Sequence, residues 1–320
     1  MAVTESPTAE YAALTEGAGL VDRSERGKLA LTGSGAKEFL NGQVTNDVEA
    51  LAPGEGLYAA FLTHKGKMLG DLRVLDAGPP THELLLDTER VALQALFDMI
   101  RRFKVGFDAE LHKRTVQRGL LSLVGPRSRE LAGATDLPEI EHANRAGEIA
   151  GRPVRLIATD AGVDVLTLAE DTEAVAAALR DAGAVPVAED AADVVRVERG
   201  RPRYGIDLDE ATIPQEAGLN ERAVSFTKGC YVGQETVARL FYKGKPNRRL
   251  RGLRLSGADV ATGDELRLGE KVVGRLGSIV VSPRFGPIAL ALVRREAEPG
   301  ATLTAGDRGV TATVAELPFA

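Results

Sequence analysis

The stretch Phe226-Thr227-Lys228-Gly229-Cys230-Tyr231-Val232-Gly233-Gln234-Glu235-Thr236-Val237-Ala238-Arg239-Leu240-Phe241-Tyr242 gathers four of the fourteen aromatic residues of this 320-residue chain, together with its single cysteine. No tryptophan is present, so an aromatic cluster stands out against cores that must be packed from Leu, Val, Ile and Ala. Thr236 to Leu240 reads as helical. Cys230 then sits just ahead of a helix N-terminus and two residues after Lys228, and both features favour a thiolate. A lone cysteine is commonly a buried and inert residue. The glycine-flanked loop beside a lysine favours instead a reactive, partly exposed thiol.

Downstream, Lys243-Gly244-Lys245-Pro246-Asn247 reads as a linker, after which no helical period is visible. Short strands at Arg249 to Leu255, Leu266 to Leu268, Lys271 to Leu276, Ile279 to Val281, Ile288 to Val293 and Val310 to Val314 are separated by Gly and Pro turns, the pattern of a small β-barrel or sandwich. From Arg239 to Arg254 there are seven basic residues and no acidic one, with Phe241 and Tyr242 interleaved. Such a run suits a polyanion, either a polyglutamate tail or an RNA backbone. It equally suits a solvated linker followed by the outer face of a strand.

Upstream, strand and helix signals alternate without a strict βαβ rhythm, which predicts an α+β chain on antiparallel sheets. Lys28 to Leu31 reads as a strand, and Ser34 as the N-cap of a short helix ended by Gly42. Asp71 to Leu75 and Glu83 to Leu86 read as strands around Gly78-Pro79-Pro80. A helix capped by Asp87 or Thr88 carries Val91, Ala95, Leu96, Met99, Ile100 and Phe103 on one apolar stripe. From Gly119 to Arg199 the order is roughly βαββαβ, ending on a strand at Asp193 to Val197, as in ferredoxin-like units. Glu198 would close that strand and enter a cleft, or pair with its neighbouring arginines.

Composition sets outer bounds. With 44% hydrophobic and 27% charged residues the chain is globular, long enough for two or three domains. One cysteine excludes an internal disulfide and a four-thiolate cluster site. His64, His82, His112 and His142 lie at no zinc-like spacing, so no metal is expected. Met1 to Glu10 lacks a basic or apolar leader, and the longest aliphatic run, Ile288 to Val293, is too short for a membrane span. A cytoplasmic protein without membrane contact is expected. The net charge of −6 opposes chain-wide nucleic-acid binding.

The Lys228 to Glu235 octet matches the K-G-C-Y-x-G-Q-E signature of the YgfZ proteins, the folate-binding iron–sulfur assembly branch of the superfamily that includes the glycine cleavage T-protein (aminomethyltransferase). Phe39 to Val48 resembles the family's F-L-x-G-Q-x-T-N-D-V block, contributing Asn46 and Asp47. The Glu198 to Leu219 segment, with Tyr204, is similar to the T-protein R-x-E-x-G…Y-G-x-D…P-x-E-A block. Val273 to Pro283 and Ile288 to Ala291 look like its C-terminal barrel.

The resemblance implies two interlocked ferredoxin-like α+β units and a C-terminal barrel around a channel for tetrahydrofolate. The folate module would cover residues 1–245, with one subdomain from 1–50 and 115–245 and another from 51–114, and the barrel residues 246–320. Glu198 matches the carboxylate that takes paired hydrogen bonds from the pterin. Tyr58 falls where the T-protein has an aromatic for the flat rings, and Arg239 is a candidate for the glutamate tail. Tyr231 and Gln234 come with the octet. Where the T-protein has an acidic pair, this chain reads Gly70-Asp71, so one carboxylate is missing and aminomethyl transfer is put in doubt.

The function so implied is a tetrahydrofolate-binding accessory protein that supports iron–sulfur assembly or repair in client enzymes, tRNA-modifying ones included. Cys230 and Lys228 would be its chemical centre, with no resident cluster. The alternative is a folate-dependent aminomethyl or methyl transferase, or a demethylase, of the T-protein type. A weak RNA contact through Arg239 to Arg254 is the remaining partner expectation.

Overall fold

The computed structural model describes residues 8–320; the first seven residues of the Met1 to Glu10 segment lie outside the described part. Three β structures organise the chain. A six-stranded sheet runs in the order Val185–Pro186, Gly19–Asp22, Arg118–Val124, Gly162–Leu168, Arg152–Ala158, Asn144–Ile149. A five-stranded antiparallel sheet runs Gly56–Leu62, Met68–Asp76, Leu84–Thr88, Gly27–Thr32, Glu110–Lys113. Arg248–Leu255, Gly286–Arg294, Lys271–Ser282, Glu265–Leu268, Thr302–Ala305 and Val310–Ala315 close into a barrel. The fold is thus α+β with a closed six-stranded C-terminal barrel, in agreement with the pattern of short strands and turns.

The two sheets interlock because the chain changes sheets early. Gly19–Asp22 pairs with Arg118–Val124, and the next strand, Gly27–Thr32, pairs into the other sheet with Leu84–Thr88 and Glu110–Lys113. The first 50 residues are therefore divided between the units rather than assigned to one. The segment 200–237 likewise packs on the five-stranded sheet: Tyr204, Leu219, Tyr231 and Val237 share a core with Phe39, Phe61 and Leu72.

Period-two alternation sorts the side chains of Met68–Asp76. Leu72 and Val74 enter that outer core, whereas Leu75 joins Leu120, Ile157 and Leu166 between the two sheets. Asp71 and Arg73 share the face of Leu75, turned toward the other sheet. Burying each such leucine stabilises the fold by about 1.5–3 kcal/mol.

Several local elements differ from the sequence-based expectation. Asp193 to Val197 is not a strand but part of the helix Glu189–Glu198. Ala191, Val194, Val195 and Val197 are buried at helical spacing between the N-terminal helix and the barrel, so packing overrides their β-branched preference. The parallel edge strand is instead the two-residue Val185–Pro186. Ser34 does not cap Ala36–Asn41; its hydroxyl donates to Asp108, and Gly35 takes the cap position. Asp87 and Thr88 end a strand rather than cap the Leu93–Phe103 helix, in which Leu96 and Ile100 are buried while Phe103 is exposed. Lys271–Ser282 is one strand with a register shift between Leu276 and Ile279, and Thr302–Ala305 is a strand too short to stand out in the sequence pattern.

Candidate functional site

A cavity of about 230 Å³ lies between the two sheets, with the Glu189–Glu198 helix and residues 199–204 completing its wall. Strand register explains its polarity. Lys28, Asp87, Arg73 and Tyr58 are direct cross-strand neighbours in a row across the five-stranded sheet. Opposite them, Ser122 and Asp164 are neighbours in the six-stranded sheet, with the serine hydroxyl 2.6 Å from the carboxylate. Arg73 spans the gap, pairing with Asp87 at 2.9 Å and with Asp164 at 2.6 Å. Arg26 closes the row through Asp87 (2.9 Å) and Glu89.

Asp71 is the carboxyl group this network leaves aside. It accepts a 2.6 Å hydrogen bond from the Tyr58 hydroxyl. Burial pushes its pKa up to about 6, against the opposing pull of that hydrogen bond. Burial, reinforced by Asp71, holds the Tyr58 phenol well above its ordinary value. The Arg222 guanidinium lies 5.1 Å over the Tyr58 ring and donates to Glu141 at 2.6 Å. Eight arginines and six carboxylates line the cavity, a surplus of two positive charges before any carboxyl protonates. A buried acid poised near neutrality inside such a wall is suited to holding or passing a proton.

The neighbouring residue clarifies the Gly70 departure. A side chain on Gly70 would point to the opposite face, where a Cβ would meet the Phe61 ring at 2.6 Å and Ala92 at 2.7 Å. The glycine therefore removes no carboxylate from the cavity, and of positions 70 and 71 only Asp71 lines it.

Glu198 lies elsewhere. As the last residue of its helix it accepts hydrogen bonds from Tyr11 (3.0 Å) and Ser282, and it lines a second cavity of about 660 Å³ with Arg129, Arg199, Arg284 and Phe285. Thr159 to Ala161, Val195 and Arg199 line both cavities, so the two share a wall. Glu198 is held by hydroxyls rather than by its arginine neighbours.

The octet forms a loop before the helix Gln234–Lys243. Cys230 is exposed and lines neither cavity. The Lys228 ammonium turns inward, donating to the carbonyls of Asn41, Val44 (2.9 Å) and Asn46 (3.0 Å), which occupies all three of its donors. Burial lowers its pKa to about 8, with Asp47 and Glu49 working against that shift. Asn46 in turn donates 2.9 Å to the carbonyl of Tyr58 and accepts from the Asp47 N–H. A path of hydrogen bonds thus runs from Lys228 through the Asn46 turn to the backbone of Tyr58, and so to the partner of Asp71.

The remaining sequence candidates divide. Tyr204 lines the central cavity, and burial raises its pKa to about 12. Tyr231 is buried beneath Lys228, Gln234 opens the following helix, and Arg239 is exposed on it. The basic run is not one surface. Arg248 pairs with Glu216, Arg251 with Glu316, and Arg254 donates to the chain end beside Phe285 and Phe319. Arg26, Arg73, His142 and Arg222 join the site without having been sequence candidates. Arg73 is legible as a charge inside an apolar strand, whereas His142 comes from a loop and Arg222 from the one-turn helix Asn220–Ala223, neither with a distinguishing pattern.

Comparison with known proteins places this geometry. Residues 2–228 match the GCVT N-terminal domain, and residues 248–320 match the glycine cleavage T-protein C-terminal barrel domain. An aminomethyltransferase of Streptomyces avermitilis is 31% identical over 91% of this chain and 82% of the relative. One from Synechococcus is 30% identical over 97% of this chain and 89% of the relative. The crystal structure of the glycine cleavage system aminomethyltransferase T from Bartonella henselae superposes with a TM-score of 0.86, covering 99% of this chain and 91% of that one at 23% identity, a likeness of fold. Among the described residues no helix is long and apolar enough to cross a membrane, and no group of three His, Cys, Asp or Glu side chains is placed to hold a metal ion.

Proposed function

This chain belongs to the glycine cleavage T-protein family, and from that premise we propose that it is a folate-dependent one-carbon transferase of the T-protein type, acting in the cytoplasm. Family members use tetrahydrofolate, and the residues of the central cavity fit it. The buried Nε atoms of Arg73 and Arg222 and both ring nitrogens of His142 have no partner of their own, a donor-rich lining for a flat heterocycle carrying carbonyl and carboxylate groups. Bound there, tetrahydrofolate supplies nucleophilic nitrogens that accept a one-carbon unit.

The observation that carries the reading is Asp71, a buried carboxyl whose pKa of about 6 lets it hold or release a proton near neutral pH. Tyr58 fixes its orientation, and the Arg73 ion pairs keep the two sheets, and so the walls of the cavity, at a fixed spacing. Gly70 does not count against transfer, because its side of the strand faces the core. Ammonia released from an aminomethylated thiol in the presence of tetrahydrofolate tests the proposal. Release by the native chain that Asp71→Asn abolishes is the expected result; no release by the native chain overturns it.

A second reading rests on the exposed sulfur of Cys230 in the octet, outside the folate cavity. An accessible thiol suits transient contact with iron–sulfur client enzymes, including tRNA-modifying ones. Rescue of cluster-enzyme activity in cells lacking the protein, lost with Cys230→Ala, is what this reading requires. Full rescue by Cys230→Ala rules it out.

A further inference from the structure

We infer that His142 is a ligand-contacting residue of the central cavity, its imidazole hydrogen-bonding the bound folate and thereby setting the affinity of the site. The inference rests on the folate reading above and names a residue that neither the octet nor the family blocks include.

Four observations converge on it. His142 lines the cavity and is only 8% exposed, yet neither ring nitrogen has a hydrogen-bond partner. Most buried polar groups in folded proteins have a partner, and among the described residues His142 is the one side chain with two buried polar atoms left open. Its backbone is fully committed: the N–H donates to Ala158 at 2.8 Å and the carbonyl accepts from Asn144 at 3.2 Å. The residue is held at φ 73°, left-handed backbone that a non-glycine residue seldom adopts and that concentrates at functional sites.

The obvious partner within the protein is already taken. Glu141 lies 3.6 Å from Nε2, too far for a hydrogen bond, while it accepts from Arg222 at 2.6 Å. Burial, with the Arg73 and Arg222 charges, pushes the imidazole pKa down to about 3, so at neutral pH one ring nitrogen donates and the other accepts. Arg73 and Arg222, each with an unpartnered Nε, line the same cavity. Three N–H donors and one acceptor beside the Asp71 carboxyl match a ring edge that alternates carbonyl or ring-nitrogen acceptors with N–H donors, as a pterin does.

The test is calorimetric titration of the full chain with 5-formyltetrahydrofolate, for the native protein, His142→Gly and His142→Asn. Glycine suits the left-handed backbone and removes the ring; asparagine tolerates that backbone and restores a short donor and acceptor. The expected result is a roughly tenfold or greater loss of affinity in His142→Gly, partly recovered in His142→Asn, as for a buried polar contact. The unfolding midpoint of the ligand-free protein should be unchanged or raised. Native binding that His142→Gly leaves within about twofold overturns the role of His142 alone and assigns the ring to water. No binding by the native chain overturns the folate reading and this inference with it. Should His142→Gly fail to fold, His142→Asn carries the test against the native chain: a clear loss of affinity supports the contact, and binding within about twofold of native overturns it.

Discussion

The Lys228 to Glu235 loop and the cavity around Asp71 are built in opposite ways. In the loop the lysine spends all its donors on carbonyls of residues 41 to 46, and the cysteine faces solvent. In the cavity, buried polar groups are left open: both nitrogens of His142, the Nε of Arg73 and of Arg222. Lys228 is fully satisfied, whereas His142 is left open on both ring nitrogens. Within the most distinctive sequence motif Lys228 acts as a brace, and the cavity proposed above to hold folate lies apart from that motif. The two are joined through Asn46, which Lys228 pins and which in turn grips the backbone of Tyr58.

The largest effect expected from that contrast is at Asp71. Asp71→Asn should lower the rate of one-carbon transfer by about 10²–10⁴, the usual worth of a positioned acid or base. It should also stabilise the fold at neutral pH. The folded-state pKa of about 6 lies above the ordinary carboxylate value, so the stability this group contributes is present below pH ~4 and is lost as pH rises through 6. A shift of two units sets an upper bound of about 3 kcal/mol on what the neutral amide recovers at pH 7. Rates and urea midpoints at pH 5 and pH 7 check both arms. A variant that is slower and no more stable would mean the carboxylate is held charged by something in the cavity wall.

Arg73 comes next. Arg73→Met leaves Asp87 and Asp164 facing each other across the sheets without the cation between them. Removing one member of a buried ion network costs about 3–5 kcal/mol. Chemical denaturation should show that loss, and Arg73→Met combined with Asp164→Leu should regain part of it. A loss below about 1 kcal/mol would show that the sheets are held by the Leu75, Leu120, Ile157 cluster alone.

These residues also show what can be read in advance. The barrel announces itself through short strands and turns, because alternation of inward and outward side chains is a local property. Asp71 and Tyr58 are legible through the family blocks. The helix Glu189–Glu198 is not, because Val194, Val195 and Val197 look like a strand until the N-terminal helix and the barrel are packed on them from two sides. The same packing places Glu198 in the cavity that adjoins the central one. His142 and Arg222 have no local signal at all, since their place beside the cavity comes from residues remote in sequence, a property no spacing encodes.

Lys228 tests the brace directly. Lys228→Met removes one ammonium and strands three carbonyls, a cost of about 2–4 kcal/mol when hydrogen bonds to a charged donor are lost. Folate affinity should fall only as far as the Asn46 turn loosens its hold on Tyr58. A variant that keeps its unfolding midpoint but loses all activity would assign the lysine to chemistry rather than to shape.

The smallest effect is expected at Cys230, and it separates the two regions most sharply. The Cys230 sulfur is exposed, so Cys230→Ser should change stability by less than about 0.5 kcal/mol. Because the sulfur lines neither cavity, folate affinity and ammonia release should also stay within about twofold of native. Alkylation with a small thiol reagent should leave the same two quantities unchanged, and bound folate should not protect the thiol. If folate slows alkylation strongly, the loop and the cavity communicate beyond the Asn46 contact. If transfer is intact while support of cluster enzymes in cells is lost, the chain carries two activities on two surfaces, a folate cavity between the sheets and a thiol loop braced beside it.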